Sequence, residues 1–187
     1  MKIGIFGGSF DPIHIGHINA MIETYLKLDL DKILVMPTYL SPFKGVVNTS
    51  SQDRFKMLTQ CLEDFDYIEV DSYEIFGQTT TYTYDTLTYL NEQFVNDDLY
   101  FIIGTDHYQS FDRWKNNELL HDLAHFVVVN RENTDIEIQH PFIQLDINTV
   151  EVSSTVIRER LKNQTEVRHL LDHKVYQYIK EHHLYET

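Results

Sequence analysis

The chain has 187 residues, 42% apolar and 24% charged, a composition typical of a globular protein and a length that fits one domain closing one hydrophobic core. Its formal net charge of −14, with no run of Lys or Arg, argues against nucleic acid or an anionic membrane as partner, and a small anion would need local cations and backbone N–H groups. No apolar stretch approaches the roughly 20 residues of a membrane span, no long apolar leader opens the chain, and the one cysteine, Cys61, cannot form an internal disulfide; the cytoplasm is the expected compartment.

Along the chain, residues 2–7 (KIGIFG) form a short apolar run ending in glycines, the pattern of a buried strand. Residues 15–28 place Ile18, Met21, Ile22, Tyr25 and Leu26 at helical spacing. A second strand is expected at 32–36 (KILVM), stopped by Pro37, with a polar loop to about residue 50. A helix follows at 51–63, capped by Ser50 or Ser51 and carrying Cys61 on its core face with Met57, Leu58 and Leu62. Strands are expected at 67–70, 99–103 and 125–130, with shorter candidates at 142–145 and 149–152. Helices are expected at 82–94, 118–122, 154–163 and 173–182. The alternation predicts a single α/β domain over residues 1–187: a Rossmann-like, doubly wound, mostly parallel sheet with helices on both faces. Such sheets bind ligands at the carboxyl ends of their strands, where the winding reverses.

The first strand runs into Gly7, Gly8, Ser9, Phe10, Asp11 and Pro12, and then His14, Ile15, Gly16 and His17 open a helix. The glycines let backbone N–H groups approach a phosphate closely, and the helix start adds unpaired donors and a positive dipole end. His14 and His17 are three apart, so both imidazoles fall on one face of the first turns, and Gly16 leaves room for a flat ring. The pair could hold triphosphate oxygens as charge grows on a leaving pyrophosphate. Two other readings stay open: a tight strand-to-helix turn with incidental histidines, and a metal site for which only two ligands are local.

A second helix start lies at residues 152–158 (VSSTVIR), where Ser153 or Ser154 can cap, the hydroxyls and N–H groups of Ser153, Ser154 and Thr155 can meet an anion, and Arg158 one turn in supplies a permanently charged fork. The alternative is an ordinary capped helix with a surface arginine, but two anion-friendly helix starts in so acidic a chain favour the ligand reading. Lys44, in PTYLSPFK, is a cation in the loop after the second strand, or solvated surface. Residues 79–87 (TTTYTYDTL) bring Tyr82 and Thr83 to a helix start that suits a nucleotide or a flat pyridine ring, or is simply a threonine-rich cap. Asp106, behind Gly104 at a strand end, can accept ribose hydroxyl hydrogens. Trp114, between Arg113 and Lys115, is either a core ring or a stacking platform, and Arg131 ends the strand HFVVVN.

Residues 7–17 (GGSFDPIHIGH) resemble the GxFDPxHxGH signature of the nucleotidyltransferases that share their HxGH motif with class I aminoacyl-tRNA synthetases. From residue 2 to 185 the chain resembles the bacterial nicotinate mononucleotide adenylyltransferase family, with the motifs in family order: DRxxML at Asp53 and Arg54, SYT-x-DTL at Tyr82 and Thr83, GxDxxxxxxxW at Gly104, Asp106 and Trp114, and ISSTxIR at residues 152–158. The resemblance implies adenylyl transfer from ATP to nicotinate mononucleotide, giving deamido-NAD and pyrophosphate. It makes His14, His17, Lys44 and Arg158 the stabilising residues. It places Gly7, Gly8, Ser9, Phe10, Gly16, Gly104, Asp106, Ser153, Ser154 and Thr155 at ATP. Tyr82, Thr83, Asp106, Trp114 and Arg131 would meet the pyridine nucleotide, with backbone N–H groups near Tyr82 reading the nicotinate carboxylate. Mg²⁺ would be held mainly by ATP phosphates, with no protein metal site, and a homo-oligomer is compatible. Arg54 would order its loop rather than touch substrate.

The family pattern is not complete. Ser41 and Phe43 stand where the family has a proline and a histidine, so only Pro42 and Lys44 carry over from its PPHK-like loop. Glu132 and Asn133 replace a Pro-Gly pair, and Gln164 and Asp172 replace a glycine and a proline. The competing readings are nicotinamide mononucleotide or phosphopantetheine as acceptor, a non-catalytic nucleotide sensor, and a tRNA synthetase fragment, the last disfavoured by the lack of a KMSKS-like segment.

Overall fold

The apolar runs of the chain become six strands in one sheet: β1 (Lys2–Gly8), β2 (Lys32–Pro37), β3 (Ile68–Val70), β4 (Asp98–Gly104), β5 (His125–Arg131) and β6 (Ile143–Ile147). The structure is a computed structural model that describes residues 1–39, 49–77, 79–131 and 136–186. The strands lie in the order β3-β2-β1-β4-β5-β6, and every pairing is parallel. The described helices are α1 (Ile15–Leu28), α2 (Ser51–Leu62), α3 (Thr83–Gln93), α4 (Thr105–Gln109), α5 (Asn117–Leu123), α6 (Ser154–Lys162) and α7 (His173–Glu181).

A parallel sheet needs cover on both faces, and alternate residues of β2 show the division. Ile33 and Val35 point into one core with Met21 of α1, Met57, Leu58, Cys61 and Leu62 of α2, Ile157 of α6 and Val175 and Ile179 of α7. Leu34 and Met36 point into the other, with Leu87 and Leu90 of α3, Leu120 of α5, and Phe101, Phe111, Trp114 and Phe126. The Cys61 thiol is a core group: burial, with Asp172 adding, pushes its pKa up to about 12. No helix among the described residues is long and apolar enough to cross a membrane.

The winding runs outward from β1 to β3 and then returns to β4, so it reverses between the neighbours β1 and β4. Their carboxyl ends, Gly8 and Gly104, lead toward α1 and α4, and the ligand crevice expected of this topology lies there.

Two expectations are corrected, and one helix was not expected at all. Residues 149–152 are irregular rather than a strand: among the described residues the β5–β6 ladder ends with Arg131 opposite Ile147, and the chain then runs to α6. Leu26 falls at helical spacing, yet it faces solvent with 65% exposure. The helix α4 carries no apolar stripe and buries no residue, so periodicity could not reveal it.

Candidate active site

The turn after β1 is built on burial. A Cβ on Gly8 would stand 3.1 Å from the Phe10 ring, so a side chain there would crowd that ring. Phe10 takes a left-handed φ of 46°, unusual for a residue with a side chain, and its ring is buried in the first core. The conformation is sustained because the ring anchors it.

His14 is the N-cap of α1 rather than a first-turn residue. Its Nδ1 accepts the His17 N–H and the His17 Nδ1 accepts the His14 N–H, both at 3.3 Å. This is a capping box made of two imidazoles in place of the usual hydroxyl and carboxyl. The rings stack with centroids 3.6 Å apart. Because each Nδ1 accepts, each neutral ring holds its proton on Nε2, and Nε2–H is a donor on both. Gly16 is required here: a Cβ would lie 2.8 Å from the Val150 carbonyl oxygen and 3.1 Å from His14 Nδ1.

The start of α6 is bonded directly to this turn. Ser153 occupies the N-cap position without a side-chain cap bond, so the expected hydroxyl cap is not formed there. Ser154 Oγ instead donates to the Pro12 carbonyl at 3.0 Å. Arg158 donates from Nη1 to the Asp11 carbonyl at 2.7 Å and from Nη2 to Thr155 Oγ1 at 3.2 Å. Its side chain keeps 25% exposure, so part of the fork still faces solvent. Ser153 and Thr155 are exposed. Two helix N-termini separated by more than a hundred residues of sequence are thereby held together, one carrying His14 and His17 and the other Arg158.

Beneath the turn lies Arg54, 1% exposed. Nη1 donates to the carbonyls of Ser9 and Thr38 at 2.7 Å each, and Nη2 to that of Tyr39 at 3.1 Å. Among the described residues no carboxylate forms an ion pair with it. Burial lowers its pKa, opposed by the Asp11 charge, but a guanidinium stays protonated. It therefore ties the ends of β1 and β2 together and leaves a positive potential under the turn. The carboxylate of Asp11, 4% exposed, accepts hydrogen bonds from Thr49 Oγ1 and, at 2.8 Å, from the Tyr185 hydroxyl.

The other side of the crevice is more open. Tyr82 is the N-cap of α3, 39% exposed, with no side-chain cap bond. The Lys115 ammonium lies 4.7 Å from its ring centroid and 3.4 Å from Asp85 Oδ2. Thr83, the first residue of α3, is half-buried, and Asp106, in the first turn of α4, is exposed. A Cβ on Gly104 would meet nothing within 4 Å, so the end of β4 opens outward. Gly7, near the end of β1, is also exposed. One group behind this rim is buried: Glu74 accepts a 2.6 Å hydrogen bond from Thr86 Oγ1. Burial raises its carboxyl to about 7, against the Thr86 hydrogen bond, which lowers it. Trp114 is packed among Phe101, Phe111 and Phe126 with 8% exposure, the arrangement of a core ring; a ligand would meet only its margin.

Lys44 lies outside the described residues, as does the side chain of Arg131, whose backbone ends β5 opposite Ile147. Among the described residues no group of three or more His, Cys, Asp and Glu is placed to hold a metal ion. Sequence reasoning missed Asp11, Thr49, Tyr185 and Glu74. Asp11 sat in plain view inside the turn motif, whereas Tyr185 is 174 residues from its partner and nothing local signals it.

Comparison with known proteins agrees with this geometry. The Cytidylyltransferase-like family profile matches residues 5–160. The chain is 37% identical to the probable nicotinate-nucleotide adenylyltransferase of Bacillus licheniformis over 187 residues, 100% of this chain and 99% of that one. It is 38% identical to the probable nicotinate-nucleotide adenylyltransferase of a Hydrogenobaculum species, covering 99% of this chain and 98% of that one. In fold it is similar to Plasmodium falciparum nicotinic acid mononucleotide adenylyltransferase complexed with NaAD, with a TM-score of 0.83 and 23% identity over 99% of this chain and 97% of that one.

Proposed function

The chain belongs to the cytidylyltransferase-like family of nucleotidyltransferases, and we propose that it transfers the adenylyl group of ATP to nicotinate mononucleotide, releasing pyrophosphate and forming deamido-NAD, a step of NAD biosynthesis. The observation that carries the chemistry is the pair of joined helix starts at the carboxyl end of β1, which bring two stacked imidazoles and a guanidinium to one turn. The acceptor's identity is supported by the relatives' names and by the full-length match.

The acceptor's 5′-phosphate is already ionised, so attack on the α-phosphorus needs no general base. The chain's work is to align the two substrates and to stabilise charge as it moves onto pyrophosphate. His14 and His17 donate from Nε2 and Arg158 supplies fixed positive charge; Lys44 is assigned the same role by its motif. Gly7, Gly8, Ser9, Phe10 and Gly16 shape the turn, and Ser153, Ser154 and Thr155 offer the second helix start. Gly104 and Asp106 take the ribose. Tyr82, Thr83, the margin of Trp114 and Arg131 meet the pyridine nucleotide. Mg²⁺ carried on the triphosphate oxygens would neutralise part of their charge.

The test is pyrophosphate release from ATP with nicotinate mononucleotide, nicotinamide mononucleotide or phosphopantetheine in turn. Release with the nicotinate acceptor at the highest kcat/KM is the expected result. Preference for either other acceptor would reassign the substrate, and ATP binding without release would make the chain a sensor.

A further inference from the structure

The chain ends by returning to its own beginning. After α7, His183 and Tyr185 take left-handed backbone, with φ of 52° and 65°, and the Leu184 N–H bonds back to the Ile179 carbonyl at 3.0 Å. A tyrosine at positive φ is strained, and such a conformation persists only where its surroundings over-determine it. Here the phenol hydroxyl lies 2.8 Å from Asp11 Oδ1 and 3.0 Å from Thr49 Oγ1. Asp11 is the residue whose carbonyl receives Arg158, and whose Oδ2 lies 4.0 Å from the same guanidinium nitrogen. It stands three residues before His14 in the turn.

We propose that Tyr185 is a positioning residue for adenylyl transfer: its hydroxyl orients the Asp11 carboxylate, and Asp11 in turn sets Arg158 and the turn that carries the two stacked histidines. The Asp11 carboxylate is buried, its Oδ1 accepts from both the Thr49 and the Tyr185 hydroxyls, and losing the phenol donor would leave that oxygen short of one bond beside the Arg158 guanidinium. A hydroxyl donor on Oδ1 satisfies that oxygen without adding charge, so the guanidinium keeps its bond to the Asp11 carbonyl. Burial and the neighbouring Asp11 charge raise the phenol pKa, which keeps the hydroxyl a donor throughout the working pH range. Adenylyl transfer by positioned donors is sensitive to displacements of this kind, since a misplacement of about 1 Å can cost about 100-fold in rate.

The proposal rests on the reading of His14, His17 and Arg158 as the groups that hold the triphosphate. Tyr185→Phe removes the hydroxyl and keeps the ring. Steady-state pyrophosphate release by the full chain is expected to show kcat lowered between about 10-fold and 100-fold. KM for nicotinate mononucleotide should be unchanged, and the apo melting temperature should fall no further than the loss of one hydrogen bond explains. Asp11→Asn is the second arm and should lower kcat at least as far; if Tyr185 acts through Asp11, the double variant loses no more than Asp11→Asn alone. Normal kcat in either single variant, or additive losses in the double, overturns the proposal. His17→Ala assayed in parallel separates the two levels: undiminished turnover there removes the underlying reading, whereas a large loss there beside a normal Tyr185→Phe removes only this inference.

Discussion

At the β1–α1 turn, Arg54, Asp11 and His14 are buried, and all three are held by hydrogen bonds to backbone or to other side chains. At the starts of α3 and α4, across the crevice, Tyr82 and Asp106 face solvent and Tyr82 makes no cap bond. The contrast matches the two tasks assigned to them. Charge stabilisation is effective when donors are already aimed before the reaction begins, because no reorganisation is then needed. Acceptor binding can tolerate groups that order when the ligand arrives. The physical difference is burial, which makes an unmade hydrogen bond expensive on the phosphate side and cheap on the other.

The strongest test of the prepared side is Arg54→Met. It strands three carbonyl oxygens, at roughly 1 kcal/mol or more each, so a loss of about 3 kcal/mol or more is expected in urea unfolding. A loss below about 1 kcal/mol would show that burying the guanidinium cancels what its bonds contribute. His17→Ala should lower kcat by about 10²- to 10³-fold, while the loss of one capping acceptor costs stability only about 1 kcal/mol. Near-normal turnover in that variant would mean that the stacked pair is only a cap.

Glu74 tests the open side, where it is the buried exception. Its folded-state pKa of about 7 stands above the ordinary 4.5, so the folded chain binds this proton more tightly than the unfolded chain does. The resulting stability is fully present below about pH 4.5 and is lost as pH rises through about 7, by at most about 3 kcal/mol. Glu74→Gln should flatten that part of the profile when unfolding midpoints at pH 5 and pH 8 are compared; an unchanged slope would assign the dependence to other groups. The smallest effect is expected from Tyr82→Ala, a rise in KM for nicotinate mononucleotide of about 2- to 10-fold with KM for ATP unchanged. A comparable rise in both constants would show that the two sides are not separable.

Much of this was legible in residue patterns. Gly16 marked a position where the structure has no room for a Cβ, Gly8 one where a Cβ would crowd the Phe10 ring, and the histidines three apart marked a helix start. The apolar runs marked all six strands, although 149–152 was one run too many, lying past Ile147 where the described β5–β6 ladder ends. Trp114 beside Arg113 and Lys115 read equally as core or platform, and only the ring cluster of Phe101, Phe111 and Phe126 showed where it packs. Arg54 was placed in the right role, but its three carbonyl partners belong to strand ends that sequence alone does not bring together.

By itself the sequence determined the class of fold, the six strands in their order and the places of the two helix starts. Those features are written in short-range form, as periods of two or 3.6 residues and as motifs within a single turn. The joining of residue 11 to residues 49, 158 and 185 was decided only in three dimensions. Strand order and helix packing set which distant groups meet, and burial then decides which of them must be satisfied. The two histidines follow the same division: their spacing revealed a helix start, but the tautomer that makes them donors came from reciprocal bonds in the folded cap.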